Sequence, residues 1–199
     1  MSKARIAVFV SGGGTNLQAL IDAKAAGKLP NAQLALVVAS KPGVYALERA
    51  AKAGIETAVV RRKDYASADA FNDAMLQTLQ SHGIEAVVLA GYLSMVGQNV
   101  VRAYPDRILN IHPSLIPSFC GAGYYGLRVH EAALKKGVKV TGATVHLVNE
   151  AYDDGRIVLQ KAVYVEEGDT PETLQRRVME QAEWEILPRA LDLLTSGRL

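Results

Sequence analysis

Three uninterrupted apolar runs set the first limit on the fold: Ile6-Ala7-Val8-Phe9-Val10, Leu34-Ala35-Leu36-Val37-Val38-Ala39 and Ala86-Val87-Val88-Leu89-Ala90. Each has strand length and none alternates with polar residues. That is the pattern of strands covered on both faces, as in a parallel sheet. Between them, apolar residues recur at helical spacing: Leu17, Leu20 and Ile21 ahead of Gly27, Tyr45 to Ala53 ahead of Gly54, and Phe71, Met75 and Leu79 in a helix from about Asp69 to His82. Thr57-Ala58-Val59-Val60 reads as a further strand, and a short helix runs from about Asn99 to Tyr104. Alternation of this kind builds right-handed βαβ units. The expected fold class is therefore α/β, a Rossmann-like and mostly parallel twisted sheet flanked by helices.

After Pro117 the pattern changes. Residues 118–126 form a glycine- and aromatic-rich loop, and Val129 to Lys136 is helical up to Gly137. Val138 to Val148 reads as one long strand, with Val140, Ala143, Val145 and Leu147 set against Thr141, Thr144 and His146. Ile157 to Val165 can pair with it as a C-terminal antiparallel pair. Asp169-Thr170-Pro171 opens a long final helix that runs to about Leu194. With 199 residues and neither repeat nor linker, a single domain over 1–199 is expected.

A net charge of +2 points to neither a nucleic-acid tail nor a polybasic membrane patch. The apolar run after Arg5 is too short for a secretory leader, and none reaches membrane-span length, so a cytoplasmic location is expected. Cys120 is the one cysteine, which excludes a disulfide within the chain and a cysteine-based metal site. It has no readable electropositive setting, so the thiol is assigned no chemistry. His82, His130 and His146 read as surface or structural histidines, and Arg61-Arg62-Lys63 as a solvated loop.

Four stretches can carry chemistry. Ser11-Gly12-Gly13-Gly14-Thr15-Asn16 joins the first strand to the first helix. Glycines let the backbone approach an anion closely, and the free amides of a helix start point at it. Thr15 or Asn16 can cap that helix. The spacing fits neither a dinucleotide fingerprint nor a Walker loop. A ligand-free tight turn is the alternative, but three glycines exceed what a turn needs. In Asn110-Ile111-His112-Pro113-Ser114-Leu115-Ile116-Pro117, Asn110 and His112 project from one face of a strand end. Pro113 stops the pairing there. Such C-terminal strand ends are where open α/β sheets bind ligands. Gly91-Tyr92-Leu93-Ser94-Met95-Val96 is apolar for a loop, and either packs under a neighbour or walls a pocket for an aromatic ligand. Asn149-Glu150-Ala151-Tyr152-Asp153-Asp154-Gly155 is an acidic loop.

Together these motifs resemble the phosphoribosylglycinamide formyltransferases, the folate-dependent transformylases of purine synthesis. The resemblance spans essentially the whole chain, on Ser11 to Asn16, Leu89-Ala90-Gly91-Tyr92, Asn110 to Pro117, Gly142 to His146 and Asp153-Asp154-Gly155. It implies transfer of the formyl group of 10-formyltetrahydrofolate to the amine of glycinamide ribonucleotide, with no metal. His112 would be the general acid, Asn110 the oxyanion donor, and Asp153 the group that raises the pKa of His112. Asp154 is the rival, but the family pattern places the Asp two before the Gly. Gly13, Gly14, Thr15 and Asn16 would hold the phosphate, and Glu183 matches a substrate-binding glutamate. The folate pterin would lie on Leu93, Ser94, Met95 and Val96, with Asn110 and the 149–153 loop completing the pocket. Residues 1–105 would then serve phosphate binding and 106–199 catalysis and folate binding. The implied partners are two small molecules, with no nucleic acid or membrane, and a homodimer is compatible. The sequence departs from the family at Ala68, where an arginine is usual near the folate, and at Cys120, where proline is usual. Arg61, Arg62 and Lys63 could replace that arginine. The rival readings are a formyltetrahydrofolate hydrolase, disfavoured because the first strand begins near Arg5 with no regulatory region ahead of it, and a non-catalytic nucleotide or folate sensor.

Overall fold

The computed structural model describes residues 3–151 and 153–199. Seven strands form one sheet in the order β3-β2-β1-β4-β5-β6-β7. They are β1 (Ala4–Val10), β2 (Ala32–Ala39), β3 (Glu56–Val59), β4 (Ala86–Leu89), β5 (Ile108–His112), β6 (Val140–Leu147) and β7 (Ile157–Tyr164). The first five run parallel. β6 lies antiparallel to both β5 and β7, so the sheet changes direction one strand earlier than the expected β6–β7 pair alone requires.

The apolar runs are buried on both faces, as expected. Ile6, Val8 and Val10 of β1 face a core made with α1 (Thr15–Ala25), α2 (Tyr45–Lys52), α6 (Pro171–Val178) and α7 (Trp184–Thr195). Ala7 and Phe9 face the opposite core with α3 (Ala68–Ser81) and α4 (Gln98–Ala103). At about 25 cal/mol per Å² of apolar surface removed from water, these two layers dominate the stabilisation. No helix among the described residues is long and apolar enough to cross a membrane.

Two local expectations are corrected, and the final helix carries an irregularity. β6 does not alternate: seven of its eight residues are buried, because α6 and α7 pack on it and the 114–116 turn is hydrogen-bonded to it, while α5 (Leu127–Lys136) packs beside α6. The long final helix is borne out from Pro171 to Thr195, with a wider π turn at Met179–Glu183 between α6 and α7. Pro188 within α7 also lacks the amide that would bond the carbonyl of Trp184. Neither Thr15 nor Asn16 caps α1; the N-cap is Gly14, in left-handed backbone at φ 73. A Cβ there would stand 2.6 Å from that of Ala46, so Gly14 is needed for packing against α2. Gly12 and Gly13 face open space.

The chain order reverses between β1 and β4, the switch point at which doubly wound sheets open a crevice at their strand ends. The glycine loop after β1, the Gly91–Val96 loop after β4 and His112 at the end of β5 all meet there.

Candidate active site

β5 pairs with β4 on one side and β6 on the other, which holds Asn110 and His112 rigidly side by side on one face. His112 is 4% exposed. Its Nε2 donates to the Phe119 carbonyl at 2.9 Å, and its Nδ1 stands 3.7 Å from Asp153 Oδ2. The Asn110 amide lies 3.0 Å from His146 Nε2 and donates to Asp153 Oδ1 at 3.4 Å. Asp153 also accepts the Gly121 amide at 2.8 Å. Asp154 is exposed and, among the described residues, meets only Asn149, which leaves Asp153 as the carboxylate of the cluster. Tyr152 of the same loop lies outside the described residues.

Burial pushes the His112 imidazole below its ordinary pKa, more strongly than the Phe119 carbonyl and Asp153 push it up. Asp153 therefore acts in the expected direction without setting the outcome. Burial pushes Asp153 itself upward, but His146, the Gly121 amide and the charge of His112 outweigh that and hold it below the usual carboxylate range. The site thus keeps an anion beside a buried neutral imidazole.

His146 was legible only as a structural histidine. It is structural, with Nδ1 on the Leu147 carbonyl at 2.9 Å, yet its other nitrogen belongs to the Asn110–Asp153 cluster. Its parity with Asn110 across the β5–β6 register carried that signal, because the two residues pair directly. His130, expected at the surface or in packing, is fully buried with neither ring nitrogen hydrogen-bonded among the described residues, and burial lowers its pKa to about 4. The Cys120 thiol is pushed up by burial and by Asp153, opposite to an activated nucleophile.

Asn110, His112 and Asp153 line one cavity of about 500 Å³ with Leu93, Ser94 and Met95. Leu93 and Met95 are each 63% exposed, so the loop after β4 is a pocket wall and not core. A smaller cavity of about 140 Å³ continues from Asn110 and Asp153 past Ser94, Met95 and Val96 to residues 149–151. The glycine loop is joined to this wall by Ser11, whose buried hydroxyl accepts the Leu93 amide at 2.9 Å and the Ser40 hydroxyl at 2.8 Å. Sequence reasoning missed that link, since a serine at a strand end carries no distinguishing pattern. Asn16 and Glu183 meet below the loop, Asn16 Nδ2 donating to Glu183 Oε2 at 2.6 Å. The π turn at Met179–Glu183 directs Glu183 inward, and burial raises its pKa to about 7. Gly13, Gly14, Thr15, Asn16 and Glu183 thus form a second group that does not line the His112 cavity.

The glycine of the acidic loop has a steric reason. A Cβ on Gly155 would lie 1.6 Å from the Leu147 carbonyl oxygen at the end of β6. Gly155→Ala is expected to destabilise the protein by about 2–3 kcal/mol in denaturant unfolding, as overpacking against backbone does. It should also lower activity by displacing Asp153.

The formyl transferase family model matches residues 4–191. The chain belongs to the formyl transferase family. A phosphoribosylglycinamide formyltransferase of Haemophilus influenzae is 40% identical over 98% of this chain and 89% of its own length. The trifunctional purine biosynthetic protein adenosine-3 of Gallus gallus is 44% identical over 98% of this chain, which spans 19% of that relative. Among solved structures, glycinamide ribonucleotide transformylase 1 of Symbiobacterium toebii superposes with a TM-score of 0.93 at 44% identity, covering 99% of this chain and 90% of that one. Among formyl transferases, then, this chain shares its fold with a transformylase over nearly its whole length.

Proposed function

We propose that this formyl transferase moves the formyl group of 10-formyltetrahydrofolate to the amine of glycinamide ribonucleotide. The observation that carries the reading is the convergence of Asn110, His112 and Asp153 on a cavity whose opposite wall is the apolar Leu93–Met95 loop. Pterin would lie on that wall. The phosphate would sit at Gly13, Gly14, Thr15 and Asn16, with Glu183 accepting hydrogen bonds from the ribonucleotide. Open space over Gly12 and Gly13 supports this, because neither glycine is required by packing. The phosphate-binding residues then come from the first half of the chain and most catalytic ones from the second.

The amine attacks the formyl carbon, and the carbonyl oxygen becomes an oxyanion. The Asn110 amide has two N–H groups, so one can meet the oxyanion while the other stays in its cluster. One such preorganised donor contributes about 3 kcal/mol. His112 Nε2 is occupied by Phe119, whereas Nδ1 is too far from Asp153 for a hydrogen bond. Nδ1 is therefore the nitrogen that gives a proton to the departing folate nitrogen as the C–N bond breaks. It enters the step unprotonated and first takes up the proton lost by the attacking amine, directly or through solvent, so the ring is imidazolium when the C–N bond breaks and neutral again afterwards. The proposal extends to a cytoplasmic location, small-molecule partners only and no metal, and it is compatible with a homodimer.

Folate product release, measured with and without glycinamide ribonucleotide, tests this. Release that requires the ribonucleotide is expected. Release that ignores it would favour a formyl folate hydrolase, and no release with either acceptor a binding sensor.

The outer part of the folate site also bears on substrate choice. A cavity of about 840 Å³ continues past Ser94, Met95 and Val96 to Ala68 and Arg62. Of the three cations that could replace the arginine missing at Ala68, Arg61 pairs with Asp64 and Lys63 does not line the cavity. Arg62 does, with one N–H held by the Tyr65 carbonyl at 2.9 Å. Arg62→Ala should raise KM for formyl folate about tenfold, the loss of roughly 1.4 kcal/mol, and leave kcat unchanged. An unchanged KM would remove Arg62 from the folate site.

A further inference from the structure

His112 lies at the end of β5, but the group bonded to its Nε2 comes from seven residues further along, the main-chain carbonyl of Phe119. Phe119 has left-handed backbone at φ 51, an unfavourable conformation for a bulky side chain that must be enforced from outside. The enforcing contact is at hand. Ser114 is fully buried, and its Oγ donates to the Ser118 carbonyl at 2.6 Å while lying 3.4 Å from the Phe119 carbonyl oxygen.

The same turn is tied to the sheet. Thr144 Oγ1 on β6 donates to the Ser114 carbonyl at 2.7 Å and accepts the Ile116 amide at 3.1 Å. Gln160 on β7 donates to the Ile116 carbonyl at 2.9 Å and to Thr144 Oγ1 at 3.0 Å. Residues 114–119 therefore hang from two strands at one end and hold the His112 ring at the other. Two residues on, the Gly121 amide reaches Asp153.

We propose that Ser114 is a positioning residue for formyl transfer, its hydroxyl holding the Ser118–Phe119 turn so that the Phe119 oxygen faces His112 Nε2. This rests on the reading that His112 delivers the proton. With Nε2–H given to Phe119, the neutral ring carries its proton there, and Nδ1 is left to take up and release the reacting one. The carbonyl dipole also favours the imidazolium over the neutral ring. The other titratable groups around His112 are Asp153 on the 149–155 loop, His146 on β6 and His130 on α5, with Cys120 on the same loop as Phe119. None of these contacts Ser114 by hydrogen bond.

The chain has four histidines, so His112 can be followed by NMR titration of the full-length protein without any substrate. In Ser114→Ala the His112 pKa is expected to fall by about half a unit, through loss of a well-aimed acceptor. The alkaline limb of kcat should move down with it, and kcat near neutral pH should fall about tenfold with KM for both substrates within about twofold. Ser114→Thr should restore both. If Ser114→Ala does not fold, Ser114→Cys, whose thiol is a weaker donor, takes its place. A folded variant with His112 titrating as in the wild type, or a loss confined to KM, overturns the proposal. A wild-type protein that ignores glycinamide ribonucleotide overturns the proposed function instead, and the titration still decides whether Ser114 holds His112.

Discussion

Replacing His112 with alanine should lower kcat by about 10³-fold, within the range that positioned acid–base groups supply. Binding of glycinamide ribonucleotide should change little, because His112 belongs to the cavity wall and not to the Gly13–Asn16 and Glu183 group. Asp153→Asn should lower kcat by about 10²-fold. The substitution keeps the side-chain shape but removes the charge that favours the imidazolium, so the alkaline limb of the pH profile should also move to lower pH. Burial already depresses His112, which makes this dependence on Asp153 larger than it would be for a solvated imidazole. Steady-state kinetics over pH, with calorimetric titration of the ribonucleotide, measure both effects. If both variants keep near-full turnover, the mechanism is wrong.

Glu183→Gln is expected to stabilise the ligand-free protein above neutral pH. Glu183 is 6% exposed, and its one hydrogen-bond donor among the described residues is Asn16 Nδ2. Its pKa rises from 4.5 to about 7 in the folded chain because burial disfavours the charged form. Below pH 4.5 the group is protonated both folded and unfolded, and contributes no penalty. Between 4.5 and about 7 the unfolded chain gives up the proton that the folded chain retains, so stability falls as pH rises. Above 7 the penalty is constant, on the order of 3 kcal/mol. Glutamine removes the charge and can still accept from Asn16. Thermal melts of the two proteins should therefore coincide near pH 4 and separate by pH 8, with the variant the more stable. Coincident melts at pH 8 would show that Glu183 is not a desolvated carboxylate. The variant should bind ribonucleotide more weakly, which identifies the buried charge as one retained for the ligand at a cost in stability.

The parallel half of the sheet was legible because β1, β2 and β4 are apolar on both faces, a property of composition over five or six residues. Asn110 and His112 were legible as a pair because strand geometry alone puts i and i+2 on one side. The exposure of Leu93 and Met95 was not, since an apolar loop reads the same whether it is packed or left open for a ligand. Arg62 is exposed, as the sequence suggests, but its place beside a cavity was not legible. A cation run after a strand looks solvated until the neighbouring loop and α3 close a cavity beside it.

Sequence by itself determined the strand–helix alternation, the position of the glycine loop and the residue types able to donate, accept and move a proton. Those follow from local rules, namely side-chain periodicity, backbone freedom and intrinsic pKa. The tertiary structure alone decided which of those groups meet and in what charge state. The β5–β6 register brought His146 to Asn110, the π turn brought Glu183 to Asn16, and the 114–121 segment brought the Phe119 carbonyl to His112 and the Gly121 amide to Asp153. Electrostatic energies depend on distance and on exclusion of water, and neither is fixed for residues 7 to 167 positions apart until the chain has folded.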